Sequence, residues 1–350
     1  MSTNNFGLQS FTEEHMNKLK QIPINLLRQV VYHRSFDEFD EKKLDAYYLY
    51  SGRGPSNSSF HIGHLQSLMF LLEFQKILQS KIYFMISDDE KIMRDNICFE
   101  DMNKHVLSTI QQLRKIGFTD ENTDIRINTN GLNSKEYKLI VELMNSFSMN
   151  TLNHVFGEKN NIGEYFYVFY QMMPCFLDKN KQCIIIAGID QDPFFRLARD
   201  VAEKLGYKKP IVLYIKNVMG LDGSEKMSTS QPETLPIFIT DTLEEIKQKI
   251  MKVKHVGAGT LDELFLNGAN LEQDTLVKLI RIFESKEDNI NLLEEAYTIR
   301  LLKNSEKHNN LKLLVEDKCI KIRNDDVMIT TQGMRIYLIN LLYGIIKDFN

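Results

Sequence analysis

Five short runs of the chain read as strands, all but the third apolar throughout or nearly so. They are AYYLY (Ala46–Tyr50), IYFMI (Ile82–Ile86), DIRIN (Asp124–Asn128), CIIIA (Cys183–Ala187) and IVLYI (Ile211–Ile215). Unbroken apolar runs of this length suit parallel strands covered on both faces, and only DIRIN mixes polar positions in. Between the runs the period changes. Leu65, Leu68, Met69 and Leu72 fall at i, i+3, i+4 and i+7, and Val106, Ile110 and Leu113 follow the same rule. DPFFRLARDVAEKLG reads as a helix that stops at Gly206. Strand alternating with helix predicts an α/β fold, a doubly wound parallel sheet over residues 46–235.

The flanks read differently. Residues 1–45 are polar with a helical pattern and are expected to form a short N-terminal extension that packs on the sheet domain. The stretch 95–163 is long for one crossover and predicts an inserted subdomain around SKEYKLIVELMNSFSMNTLNHVFG. Beyond Gln231 the strand signal fades. Residues 236–350 therefore predict a helical C-terminal domain, its first helix opened by an Asp241…Glu244 capping box.

Composition narrows the class of function. A chain of 350 residues holds two domains or slightly more. A formal net charge of −4 argues against a protein that coats nucleic acid, so no DNA partner is expected, but a local basic face for a particular RNA remains open. Cys98, Cys175, Cys183 and Cys319 have neither metal-ligand spacing nor a disulfide framework and read as reduced thiols of a cytoplasmic protein. STNNFGLQ after Met1 is not a signal peptide, and apolar runs such as LMFLLEF are too short to span a membrane.

Two motifs carry chemistry. In a doubly wound sheet, ligands bind beyond the carboxyl ends of the strands. After Tyr50 comes the turn SGRGPSNSS, and His61-Ile62-Gly63-His64 then opens a helix. A helix start offers unpaired N–H groups and a positive dipole end, and two imidazoles there can donate to phosphate oxygens. Gly63 lets a flat ring lie against the backbone, which suggests adenine. Taken alone, the pair reads equally well as polar helix-start residues. The second motif, GSEKMSTSQP (Gly223–Pro232), sets Lys226 in a loop of small and hydroxylated residues that can close on a polyphosphate. Taken alone, it reads as a solvated surface loop.

In this order, on this strand–helix pattern, the two motifs resemble the signatures of the class I aminoacyl-tRNA synthetases. HIGH is intact, and KMSTS departs from the usual second signature only at Thr229. YSGRGPSNSSFHIGH, ISDDEK, GIDQDPFFRLARDVA, KMSTS and FITDT together resemble the eukaryotic and archaeal tryptophanyl-tRNA synthetase family, over about Tyr47–Thr242. The resemblance implies a Rossmann-like catalytic domain, ATP as substrate with Mg2+, L-tryptophan and tRNA(Trp) as partners, and a homodimer, for which 95–163 is the candidate interface. It also implies that 236–350 binds the tRNA anticodon.

Residue by residue, the resemblance implies that Tyr50 lines the indole pocket. Arg53, His61, Gly63, His64, Ser87 and Lys91 face ATP. Glu90, Gln171 and Gln191 hold the α-amino group, and Asp190 sits near the ribose. Lys226 meets the pyrophosphate part of ATP, and Met227 and Ser228 also belong to the ATP site. Charge stabilisation falls to His61, His64, Lys91 and Lys226, with no metal held by the protein. Plainer readings stand beside these: Glu90 and Lys91 as surface charges, Gln171 as a satisfied core amide, and Asp192 as the cap of the next helix. Phe166, Tyr167, Phe169 and Tyr170 read as pocket wall or as core.

Two departures matter. Met85 stands where the family usually has a glutamine that helps bind the indole N–H. Methionine is only a weak acceptor, so the Tyr50 oxygen or a water must take that proton, and tryptophan binding is expected to weaken. Gly257-Ala258-Gly259-Thr260 replaces a charged pair near the family's anticodon site, so no anticodon-reading residue is carried over. The rival readings are a tyrosine ligase on the same scaffold, a nucleotidyltransferase with an HxGH motif, and a non-catalytic synthetase-like binding protein.

Overall fold

The computed structural model describes residues 7–349, except 56–58, 96, 255, 258, 259, 300, 317 and 318. Part of the SGRGPSNSS turn and of the Gly257–Thr260 departure thus lies outside the described residues.

The described chain divides into two compact units. The first comprises residues 1–22, 30–59 and 67–216, and the second 23–29, 60–66 and 217–350. The expected boundary at 235 falls inside the second unit.

The first unit is built on a seven-stranded sheet. Its strands are β1 (Gln9–Ser10), β2 (Val30–Arg34), β3 (Tyr47–Arg53), β4 (Ile82–Ile86), β5 (Thr123–Ile127), β6 (Gln182–Gly188) and β7 (Ile211–Ile215), in the order β1-β2-β7-β6-β3-β4-β5. β7, β6, β3, β4 and β5 are parallel, as the apolar runs predicted. β4 and β7 are buried at every position. β5 is mixed because it is an edge: Arg126 lies exposed, pairs with Asp124 at 2.9 Å and covers the Tyr83 ring. The chain runs outward from β3 to β4 and β5, then returns to β6 on the other side. The strand order therefore reverses between β3 and β6, and the crevice beyond their carboxyl ends is the expected ligand position.

The N-terminal segment is not wholly helical, as its pattern had suggested. β2 pairs antiparallel with β7 and carries β1 on its outer edge. The strand was hidden because two of its buried residues are polar, His33 and Arg34. His33 packs edge-on against His15, ring centroids 4.4 Å apart, and His15 Nε2 meets Asp37 at 2.8 Å. The spacing resembles a metal-ligand set, but the chemistry does not. His15 Nδ1 accepts from Thr12 N–H and His33 Nδ1 from Phe36 N–H. Each neutral ring therefore carries its hydrogen on Nε2, the atom a metal would need bare.

In the second unit the helices Leu243–Ile250, Leu261–Asn267, Thr275–Phe283, Glu287–Thr298, Glu306–Leu314 and Thr331–Ile346 dominate. Their inner faces meet over Ile246, Ile250, Leu276, Leu293, Tyr297 and Leu338, all buried. Helices do not fill the region, as had been expected. β8 (Leu301–Leu302), β9 (Ile320–Arg323) and β10 (Asp326–Ile329) form a small antiparallel sheet. The two-residue turn between β9 and β10 starts at Asn324, whose φ of 57° asparagine tolerates better than most residues. The capping box of the Leu243–Ile250 helix is Thr242…Glu245, one residue later than expected. Asp241 instead accepts from Phe238 N–H and pairs with Lys249 at 2.5 Å.

No helix among the described residues is long and apolar enough to cross a membrane.

Candidate active site

The residues singled out in the sequence fall into two groups, one in each unit. The first lies at the carboxyl ends of β3, β4 and β6. Tyr50 and Met85 are buried side by side in the core of the sheet face. The Tyr50 hydroxyl donates to the Gln171 main-chain oxygen at 3.0 Å, and the Met85 sulfur lies 3.9 Å from the same hydroxyl. Burial pushes the Tyr50 phenol well above its ordinary pKa, so it stays protonated.

From Gln171 a chain of amides runs on. Gln171 Nε2 donates to Gln191 Oε1 at 2.7 Å, and Gln191 Nε2 donates to Asp190 Oδ2 at 3.0 Å. Two elements make this possible. Gln171 sits near the end of the Ile162–Met172 helix, while Asp190 and Gln191 form the turn between β6 and the Asp192–Ala202 helix. The structure thus brings together Tyr50, Gln171, Gln191 and Asp190.

Arg53, Ser87, Glu90 and Lys91 form a second cluster around the end of β3. Ser87 N–H donates to Arg53 O at 3.0 Å. A methyl placed on Gly54 would stand 3.4 Å from Lys91 Cε and 3.5 Å from Glu90 Oε2. Burial lowers Arg53 to about 10. It lowers Lys91 too, with help from the Arg53 charge. Two partly dehydrated cations in one cluster favour an anion nearby. Burial raises the Glu90 carboxyl, although its Oε1 pairs with Arg94 at 2.8 Å. Its Oε2 faces Gly54.

Sequence reasoning missed the acids beside Glu90. Asp88 accepts from Thr129 N–H and Oγ1, and Asp89 accepts from Asn128 Nδ2 at 2.7 Å. Burial raises Asp89 to about 6. These bonds hold the Asp88–Asp95 helix, which carries Glu90 and Lys91, onto the turn after β5. Three consecutive acids in ISDDEK were the available signal. Asp192 is not a cap: Gln191 holds that position, and Asp192 pairs with Arg34 at 2.6 Å.

The second group is the HIGH turn and the lysine loop. Ile62 N–H donates to Ile237 O at 2.9 Å and Ile239 N–H to Phe60 O at 2.8 Å, which stitches the turn to the segment that follows the loop. The imidazoles of His61 and His64 lie 3.6 Å apart between centroids. His61 Nδ1 accepts from Gly63 N–H at 3.1 Å, and His64 Nδ1 from His61 N–H at 3.3 Å. Both neutral rings therefore carry hydrogen on Nε2, which is the donor a phosphate oxygen needs. The flat ring that Gly63 makes room for is the His61 imidazole, since a methyl there would stand 2.9 Å from it.

The lysine loop is pinned at its root. Met227 is buried, and its N–H donates to Val218 O at 2.7 Å, so neither its side chain nor its N–H is open to a nucleotide in this structure. Ser228 N–H donates to Thr234 Oγ1, and Ser228 Oγ lies 2.9 Å from Ser230 Oγ. Lys226, next to the Met227 anchor, is exposed.

A mostly parallel, doubly wound sheet with these two signatures defines a class I aminoacyl-tRNA synthetase architecture. The family model described as tRNA synthetases class I (W and Y) matches residues 42–317, and the chain belongs to that family. It is 35% identical over 306 residues to the tryptophan–tRNA ligase of Sulfolobus acidocaldarius, covering 83% of this chain and 79% of that one. It is 28% identical over 340 residues to the cytoplasmic tryptophan–tRNA ligase of Schizosaccharomyces pombe, covering 91% and 84%. Among solved structures it is similar to a tryptophanyl-tRNA synthetase from Encephalitozoon cuniculi bound to tryptophan. The TM-score is 0.81 at 25% identity, covering 99% of this chain and 91% of that one.

Proposed function

We propose that the chain is a tryptophan–tRNA ligase. It activates L-tryptophan with ATP and passes the aminoacyl group to the terminal adenosine of tRNA(Trp). The observation that carries the reading is the bonded line Tyr50–Gln171–Gln191–Asp190 at the point where the strand order reverses. It offers amide and carboxylate oxygens for an ammonium group next to the buried aromatic residues that pack around Tyr50, among them Tyr83 and Phe195.

The tryptophan carboxylate attacks the α-phosphorus, the bond to pyrophosphate breaks, and pyrophosphate leaves with that electron pair. The protein supplies no nucleophile. It positions the groups and stabilises charge. Gln171, Gln191 and Glu90 orient the ammonium. His61 and His64 donate from Nε2 to phosphate oxygens. Arg53, Ser87 and Lys91 attend the nucleotide, Asp190 the ribose, and Lys226 the departing pyrophosphate. Magnesium arrives on the phosphates and water of ATP. Two carboxylates near the signatures are engaged within the protein, Asp222 with Ser224 and Asp241 with Lys249.

Residues 236–350 are proposed to bind the tRNA, and the protein is proposed to act in the cytoplasm as a homodimer. For the dimer, the support is an exposed apolar stripe of Tyr137, Val141 and Met144 on the Ser134–Met144 helix, inside the 95–163 insertion.

ATP–pyrophosphate exchange measured side by side with L-tryptophan and L-tyrosine tests the reading. Exchange with tryptophan alone is expected. Exchange with tyrosine alone would replace the proposal by the tyrosine ligase, and exchange with neither would favour a non-catalytic relative.

A further inference from the structure

We propose that Arg34 is a positioning residue for tryptophan: its fork on Asp192 fixes the turn that aims Gln191 at the substrate amino group. Arg34 ends β2, opposite Val212 of β7, and its side chain is almost fully buried. Its Nε donates to Asp192 Oδ1 at 2.6 Å and an Nη to Oδ2 at 3.0 Å, the two parallel bonds that only arginine can make to a carboxylate. The fully buried Tyr214 of β7 donates its hydroxyl to the same Asp192. Burial alone would raise the Asp192 carboxyl, but the bonds from Arg34 and Tyr214 outweigh it and hold the group ionised.

Gln191 stands directly before Asp192, at the helix N-cap. A residue there commonly spends its side chain on capping. Gln191 makes no cap bond, and its amide is committed instead to Gln171 and Asp190. The turn is therefore not held by its own cap. It is held one residue later, by a carboxylate gripped from β2 and β7. Arg34 reaches this role from an N-terminal segment far away in sequence. The inference rests on the reading that Gln191 holds the tryptophan amino group.

The test uses the full chain and measures KM for tryptophan and for ATP separately in pyrophosphate exchange. The chain contains no tryptophan, so bound ligand can also be titrated by its own emission. Arg34→Met is expected to raise the tryptophan KM by about tenfold or more, with the ATP KM unchanged, because small misplacements of a positioning group are felt strongly. Arg34→Lys should recover only part of the loss, since an ammonium lacks the fork. Arg34→Met combined with Gln191→Ala should be no worse than Gln191→Ala alone.

An unchanged tryptophan KM in Arg34→Met, an equal rise in both KM values, or additive effects in the double variant would overturn the proposal. If Gln191→Ala itself leaves the tryptophan KM unchanged, the reading of Gln191 falls and takes this inference with it. Should Arg34→Met fail to fold, Tyr214→Phe decides: it keeps the ion pair and removes one bond to Asp192. A smaller rise in tryptophan KM is then expected, and no rise refutes the role.

Discussion

The hydroxyl of Tyr50 gives its one hydrogen to the main-chain oxygen of Gln171, 3.0 Å away. The phenol oxygen is thereby turned into an acceptor, and an acceptor is what an indole N–H requires. The neighbouring Met85 sulfur is a poor substitute for an amide oxygen.

Met85→Gln tests this division of labour. The added acceptor is expected to lower the tryptophan KM roughly two- to tenfold, the equivalent of one neutral hydrogen bond of ~0.5–1.5 kcal/mol. A KM equal to or above that of the wild type would show that Tyr50 already satisfies the ring.

Lys226→Ala should slow adenylate formation ~10²–10³-fold, as loss of a charged group acting on the transition state does. Tryptophan affinity, followed by ligand emission, should hardly move. Equal single-turnover rates in variant and wild type would remove Lys226 from the mechanism.

The N-terminal segment should make the fold acid-sensitive. Burial first, then repulsion from His15, lowers His33 to about 4. In an unfolded chain histidine titrates near about 6.5. Stability due to the neutral ring is therefore complete above about 6.5 and is lost as the pH falls toward about 4. Asp89, raised to about 6, acts in the opposite sense over an overlapping range, so the comparison must be between proteins. In urea unfolding at about pH 7 and about pH 5, the wild type should lose more stability than His33→Phe. Identical losses would exonerate His33.

Val141→Glu places a charge in the middle of the Tyr137–Met144 stripe without touching the core. Sedimentation should show a dimer for the wild type and a shift toward monomer for the variant. A dimer of unchanged strength would locate the interface elsewhere.

The central strands were readable because burial on both faces leaves an unbroken apolar run, as in Ile82–Ile86 and Ile211–Ile215. β2 was not, because Arg34 and His33 are polar residues whose partners, Asp192 and Phe36 N–H, periodicity cannot see. β9 alternates as IKIR and β10 is apolar after Asp326, but both are short and lie among helices that dominate the pattern. At the site, Gln171 and Gln191 were reached through the family resemblance. Their mutual bond links two distant stretches of chain, so only folding reveals it. Asp192 shows the reverse: a local rule made it a cap, and a contact from 158 residues away gave it another task.

The bonds from Ile62 to Ile237 and from Ile239 to Phe60 are made by peptide groups alone. Such a seam is blind to the side chains that border it. Substitutions can accumulate around either signature, Thr229 in the lysine loop among them, without altering how the histidine turn is spliced to the segment beyond that loop. Evolution is thus left free to retune the loop's chemistry while its attachment stays constant.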